Sequence, residues 1–197
     1  MPWLWWAAAG AAAFYLGRVV ARKKGPAKVL PATLLAIGAW PLSPLASGAL
    51  LFYAAGDALL LNKDRFFLHG LAAFLVGHLL LVAALLQLGT RALSMGVLSV
   101  VGVLFVGVLA AVLPRVKGAV RVAIPLYAAA LGAMVVTAAT VSPLAACGAA
   151  IFALSDCLLA VNRFVRPLPA GEPAVSLTYQ SALLALSGAL FLTPPPN

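Results

Sequence analysis

Acid is what this chain has least of. Its 197 residues include only four Asp or Glu against 13 Lys or Arg, and charged residues of every kind make up 9%, where soluble domains carry about 25%. That scarcity excludes an ordinary soluble fold. With 64% hydrophobic residues and a mean hydropathy of +1.11, an integral membrane protein is the class that fits. The net charge of +9 would suggest nucleic acid in a soluble chain; here basic cytoplasmic loops account for it, and no nucleic-acid partner is expected. Cysteine is scarce too: Cys147 and Cys157 read as small apolar residues inside spans, not as a disulfide. The sequence carries no Cys/His metal pattern, phosphate-cradling glycine loop or nucleophile elbow, so no metal or cofactor is expected. A basic region ahead of the first apolar run is missing, so that run reads as a span and not as a signal peptide.

What is present is apolar sequence in lengths that suit a bilayer. A spanning helix needs about 20 mostly apolar residues, and eight spans are predicted, at 3–20, 29–44, 46–62, 66–87, 92–114, 119–138, 143–162 and 174–193. Pro41, Ser43 and Pro44 make a tight uncharged break between the second and third. Gly, Ala and Ser recur throughout and let helices approach closely, so the expected fold is all-α, a compact eight-helix bundle forming a single transmembrane domain over 1–197. Trp3, Trp5 and Trp6 suit an interfacial belt. Twelve of the 13 basic residues fall on odd-numbered loops, leaving only Arg91 on an even one. The positive-inside rule then puts the odd loops in the cytoplasm and both termini outside, in a multi-pass cell membrane of the bacterial inner-membrane kind.

One stretch organises the rest. Residues 53–78, YAAGDALLLNKDRFFLHGLAAFLVGH, set Asp57 inside an apolar run, then a short charged turn, then a second run with His69 and His78. About a hundred residues on, 152–164 read FALSDCLLAVNRF. Both copies have an aromatic, Ala, a small residue, Asp, a small residue, Leu-Leu, Asn and Arg-Phe, and Asp57 matches Asp156. The two motifs end spans three and seven, an even separation, which predicts a 4+4 parallel repeat with both acids at one depth. Asp57 lies roughly 8 Å inside the cytoplasmic end of its helix, at 1.5 Å per residue. An ionisable residue in a span is a functional candidate by default; the bland reading is that each acid ties helices together or pairs with Arg65 or Arg163. Two carboxylates sharing a low-dielectric site would not both ionise readily, and one protonated acid beside one ionised base is a workable acid–base pair.

Other polar residues fall near that level: Lys28 at the cytoplasmic lip of span two, Tyr127 in span six, Tyr179 and Gln180 in span eight, with His78 nearer mid-membrane. With Tyr53, Asn162 and Arg163 from the two motifs, these are the candidate substrate-binding residues. Lys28 is expected to meet a phosphate, or else to serve only as a topology anchor. Tyr127 and Tyr179 also suit interfacial aromatics, and His78 a helix-packing histidine.

The segments KVLPATLL (28–35), YAAGDALLL (53–61), FFLHGLAAFLVGHLL (66–80), PLYAAALGAM (125–134), ALSDCLLAVNRF (153–164) and TYQSALLALS (178–187) together resemble the YhhN family of membrane proteins. That resemblance implies an eight-span hydrolase that cleaves the vinyl ether bond of lysoplasmalogens to a fatty aldehyde and a glycerophospho-base. It makes Asp57 and Asp156 the leading catalytic candidates, with a lysophospholipid as partner. Two rival readings remain. A proton-coupled transporter or lipid carrier would use the same paired acids. An intramembrane aspartyl protease is disfavoured because Ala54-Ala55-Gly56-Asp57 lacks the first glycine of a Gly-x-Gly-Asp pattern.

Overall fold

Two serine–proline pairs start the helices that carry the acids. Ser43 has an extended backbone and its hydroxyl accepts from Ala46 N at 3.2 Å; Ser142 does the same with Ala145 N at 3.1 Å. Each is followed by a proline at the first helical position, where the missing N–H leaves no bond unmade. In the computed structural model these pairs open α3 (Pro44–Leu59) and α7 (Pro143–Ala160). The remaining helices are α1 (Pro2–Val20), α2 (Leu30–Ala39), α4 (Lys63–Leu88), α5 (Met95–Val112), α6 (Gly118–Val141) and α8 (Gly171–Leu192). The structure describes residues 2–21, 25–89, 91–92 and 94–193, and among these it contains no strand. Arg22, Lys23, Lys24 and Asn197, which enter the orientation expected from charge, lie outside the described residues.

Six segments are long and apolar enough to cross a membrane by length and composition: Pro44–Asn62, Asp64–Leu88, Met95–Arg115, Gly118–Val141, Pro143–Val165 and Gly171–Leu192. The second expected span differs from its prediction. Instead of 29–44, the helical stretch is a four-residue 3-10 turn, Pro26–Val29, running into the ten-residue α2. Pro41 has no N–H to continue the ladder, and Leu42 and Ser43 both fold back on Ala39 O. The result reaches roughly 23 Å, less than the ~30 Å hydrocarbon thickness. This shortness matters, because Lys28 lies at its start.

Helices α3 and α4 pack together, as do α7 and α8, and α4 also lies along α6. Glycine permits the closest approaches. A Cβ on Gly77 of α4 would stand 2.5 Å from the Tyr53 ring, and one on Gly148 of α7 would stand 2.9 Å from the Leu186 backbone. Between these pairs sits an aromatic cluster. Phe152 has ring centroids at 5.2 Å from Tyr53, 5.0 Å from His78 and 5.4 Å from Tyr179. Edge and tilted contacts of this kind add to what apolar burial already contributes. The cluster forms the floor on which the acids stand.

Candidate active site

Asp57 lies two residues before the end of α3 and its side chain is fully buried. An isolated charge there would be prohibitive, and two groups answer it. Lys28 Nζ is 2.8 Å from Oδ1, and the Tyr179 hydroxyl donates to Oδ2 at 2.8 Å. The Lys28 ammonium also lies 5.5 Å from the centroid of the Tyr179 ring, so the three side chains brace one another. Lys28 reaches the acid from the 3-10 turn, Pro26–Val29, that opens the short second helical stretch.

Asp156 is held differently. Its side chain is 16% exposed, and Tyr127 of α6 donates a short hydrogen bond to Oδ2. Behind Tyr127, His78 Nε2 lies 3.0 Å from the Tyr127 hydroxyl and Nδ1 lies 2.8 Å from the Tyr53 hydroxyl. Because Tyr127 gives its proton to the carboxylate, its oxygen accepts from His78 Nε2–H, while the Tyr53 hydroxyl also reaches Met134 Sδ at 3.7 Å. His78 thus bridges the Tyr53 and Tyr127 hydroxyls. His78 Nε2 itself is 3.9 Å from Asp156 Oδ2, so Tyr127 is the intermediary.

Both acids line one cavity, which offers about 110 Å³ to the centre of a water-sized sphere. Lys28, Tyr127 and Tyr179 share its wall, and Cys157 joins them as a free thiol. The rest is apolar: Phe67, Leu71 and Phe74 from α4, Phe105, Val108 and Leu109 from α5, Ile124 and Leu131 from α6, and Phe164 beyond α7. Wall composition of this kind, mainly apolar with a few converging polar groups, is that of a small-molecule site.

The structure therefore brings together Asp57, Asp156, Lys28, Tyr127 and Tyr179 on one surface. Tyr53 and His78 are fully buried and lie behind that surface, not on it. Gln180 is also buried, with both amide atoms lacking a hydrogen-bond partner, and it is not among the residues lining the cavity. Asn162 and Arg163 belong to a π-helical turn, Val161–Val165, that follows α7. Asn162 Oδ1 accepts from Leu168 N at 2.8 Å, and the Arg163 guanidinium lies 4.2 Å from the centroid of the Phe67 ring. Both line a second, neighbouring cavity.

A sequence signal for the paired geometry went unread. The likeness between the two acid motifs extends back to their helix starts at one fixed spacing: Ser43-Pro44-Leu45-Ala46 recurs as Ser142-Pro143-Leu144-Ala145, 99 residues on, as Asp57 recurs as Asp156. The same spacing carries Lys28 onto Tyr127. Each acid thus takes its partner from 29 residues upstream, a lysine in one case and a tyrosine in the other.

The YhhN family model matches residues 25–190. The human lysoplasmalogenase TMEM86B is 33% identical over 176 residues, covering 86% of this chain and 76% of the relative. Its pig counterpart is 35% identical over 147 residues, covering 75% and 63%, and the bovine lysoplasmalogenase TMEM86A is 33% identical over 156 residues, covering 70% and 62%. No solved structure matches the chain. With the family match spanning both acids and their partners, and with helices of membrane-crossing length on every side of them, the chain is an integral multi-pass membrane protein that belongs to the YhhN family.

Proposed function

We propose that this protein hydrolyses the vinyl ether bond of lysoplasmalogens, releasing a fatty aldehyde and a glycerophospho-base, with Asp57 and Asp156 as its acid–base pair. The observation that carries the reading is that two carboxylates with unlike partners face one apolar cavity. The lysoplasmalogenase names of the relatives supply the substrate class.

The partners suggest a division of labour. Asp57 is matched by a lysine ammonium and serves as the ionised member. Asp156 instead takes a phenol as its partner, carries the Tyr127 bond on Oδ2 and holds the reactive proton on Oδ1. Asp156 transfers that proton to the vinyl carbon remote from oxygen. The carbon bonded to oxygen becomes an oxocarbenium ion, which the Asp57 carboxylate stabilises. Water adds to that carbon and gives up a proton to the carboxylate pair, restoring its charge. The hemiacetal then collapses to aldehyde and alcohol. The logic is that of glycoside cleavage, where one carboxyl donates a proton and the other answers the cation.

In this reading the chain spans the membrane eight times as a 4+4 parallel repeat, its short second stretch crossing where the bilayer thins around it, with both termini outside. The decisive experiment is incubation of the purified protein with a lysoplasmalogen in heavy-oxygen water. Free aldehyde with an unlabelled glycerol hydroxyl is expected, since attack occurs on the vinyl carbon. Label in the glycerol hydroxyl would overturn the mechanism. Absence of aldehyde, with proton flux in proteoliposomes, would favour the carrier reading of the same acids.

A further inference from the structure

A hydroxyl buried among apolar helices has few partners to choose from, and it usually turns onto a backbone carbonyl. Among the described residues Thr137, Thr140 and Ser187 bond a carbonyl of their own helix at 2.7, 2.7 and 2.6 Å. Ser47 and Ser155 reach across to Ala36 O and Val175 O at 2.8 and 3.0 Å. Ser176 is the exception. It is only 7% exposed, yet its hydroxyl makes no hydrogen bond among the described residues. Of the buried polar side chains only Gln180 shares that condition, and Gln180 lines neither cavity. Ser176 lines both. A buried hydroxyl left without a partner costs free energy, so its place on two cavity walls points to a partner that comes from the cavities.

The two cavities differ in what they can hold. The second offers about 160 Å³ to the centre of a water-sized sphere, well above the about 10–15 Å³ that one water requires. Its wall carries Lys28, Asn162, Arg163 and Glu172, whereas phenylalanine and leucine dominate around the acids. Water therefore collects in the second cavity, while a hydrolysis would consume it in the first. The walls have six residues in common: Lys28, Leu60, Phe67, Leu159, Val175 and Ser176. Only two of them are polar, and Lys28 is already committed to Asp57 at 2.8 Å. Ser176 precedes Tyr179 by three residues on α8, so the two share a helix face, about 4.5 Å apart along the axis. Tyr179 is the residue that donates to Asp57.

We propose that Ser176 holds the water that the hydrolysis consumes, drawn from the second cavity and presented to the acid pair in the first. The inference rests on the hydrolase reading above and adds a residue to it. The Ser176 oxygen accepts one hydrogen of the water, and the other hydrogen faces the carboxylate pair. A lone pair is left for the oxocarbenium carbon. As the new carbon–oxygen bond forms, the proton passes to the carboxylate pair, which restores the charge balance. Ser176 acts after the cation has formed, so it governs which nucleophile is used and not how fast the vinyl carbon is protonated.

The test is therefore a competition between nucleophiles. Purified protein is given a lysoplasmalogen in buffer with dilute methanol, and two products are measured: aldehyde from capture by water, and the mixed methyl acetal from capture by methanol. Ser176→Thr and Ser176→Val have the same shape and differ only in the hydroxyl. Ser176→Thr should keep the wild-type product ratio, and Ser176→Val should raise the acetal share about tenfold, the scale of one hydrogen bond. Equal ratios in the two variants would overturn the proposal, because a serine that merely packs helices would affect both alike. Should the larger side chains not fit, wild type against Ser176→Ala decides in the same way. Neither product from wild type would sink the hydrolase reading itself. Hydroxyl-radical footprinting then reads the water without chemistry: oxidation of Phe67 and Tyr179 should fall severalfold in Ser176→Ala, and equal oxidation would remove the held water as well.

Discussion

Asp57 and Asp156 stand at matched positions, 99 residues apart on helices that begin with the same four residues, yet they live under different rules. Asp57 is sealed from solvent and has a cation at 2.8 Å. Asp156 is partly open and leans on a phenol that a histidine backs. At the position where one has lysine the other has tyrosine. A single exchange of partner is thus enough to turn two copies of one motif into an ion pair and a tyrosine-bound acid. Chemical difference arises here from who stands opposite each acid, not from the acids themselves.

The largest test removes each acid in turn. Asp57→Asn and Asp156→Asn should each lower turnover at least ~100-fold, the low end for losing a general acid or base, while leaving lipid binding intact. Near-normal turnover in either variant would return that acid to a purely structural role. The next test sharpens the contrast between partners and reads stability. Lys28→Met leaves a buried carboxylate without its cation and should destabilise by about 3–5 kcal/mol. Tyr127→Phe removes one hydrogen bond from a partly open acid and should cost about 1 kcal/mol. Melting in detergent compares the two, and equal losses would mean that the acids are held alike. Combining Lys28→Met with Asp57→Asn should recover most of the stability and none of the activity.

The smallest expected effect concerns the row behind Asp156. His78 touches neither cavity, so it acts on Asp156 only by orienting Tyr127. His78→Gln keeps a donor for the tyrosine oxygen and should lower kcat about threefold with KM unchanged. His78→Phe loses the donor and should fall about tenfold, the scale of one neutral hydrogen bond. A shift in KM instead would make His78 part of the binding surface.

Much of this site was legible from residue type. Asp57, Asp156, Lys28, Tyr127 and Tyr179 stand out because polar groups are costly in apolar helices, and the structure brings all five to one wall. The partners were not legible. Which tyrosine meets which acid depends on the rotation of α6 and α8 about their axes, and periodicity is weak evidence when every face of a helix is apolar. For the same reason Tyr53 and His78 read as substrate contacts, although the glycine at 77 draws α4 against α3 and turns both side chains inward. The end of the second helical stretch was half legible: Pro41 marked a break, but its start at Pro26 required a 3-10 turn that composition does not announce. Glu172 carries no signal of its own, because a lone acid near a helix start has an ordinary explanation in the helix dipole.

Helix α5 lines the acid cavity with Phe105, Val108 and Leu109 yet buries only Val112 fully, and it rests chiefly on α6. In water, lifting such a wall would expose apolar surface at roughly 25 cal/mol per Å². Among acyl chains that penalty vanishes, because lipid solvates leucine as well as protein does. The softest side of the chamber is therefore its most apolar and exposed one, the side by which, on the proposed reading, a single-chain lipid would enter from the bilayer. Capture would then become a search in two dimensions, and the far end of a long tail could stay dissolved in the membrane. Such an enzyme would measure its substrate from the polar end and leave chain length almost unweighed.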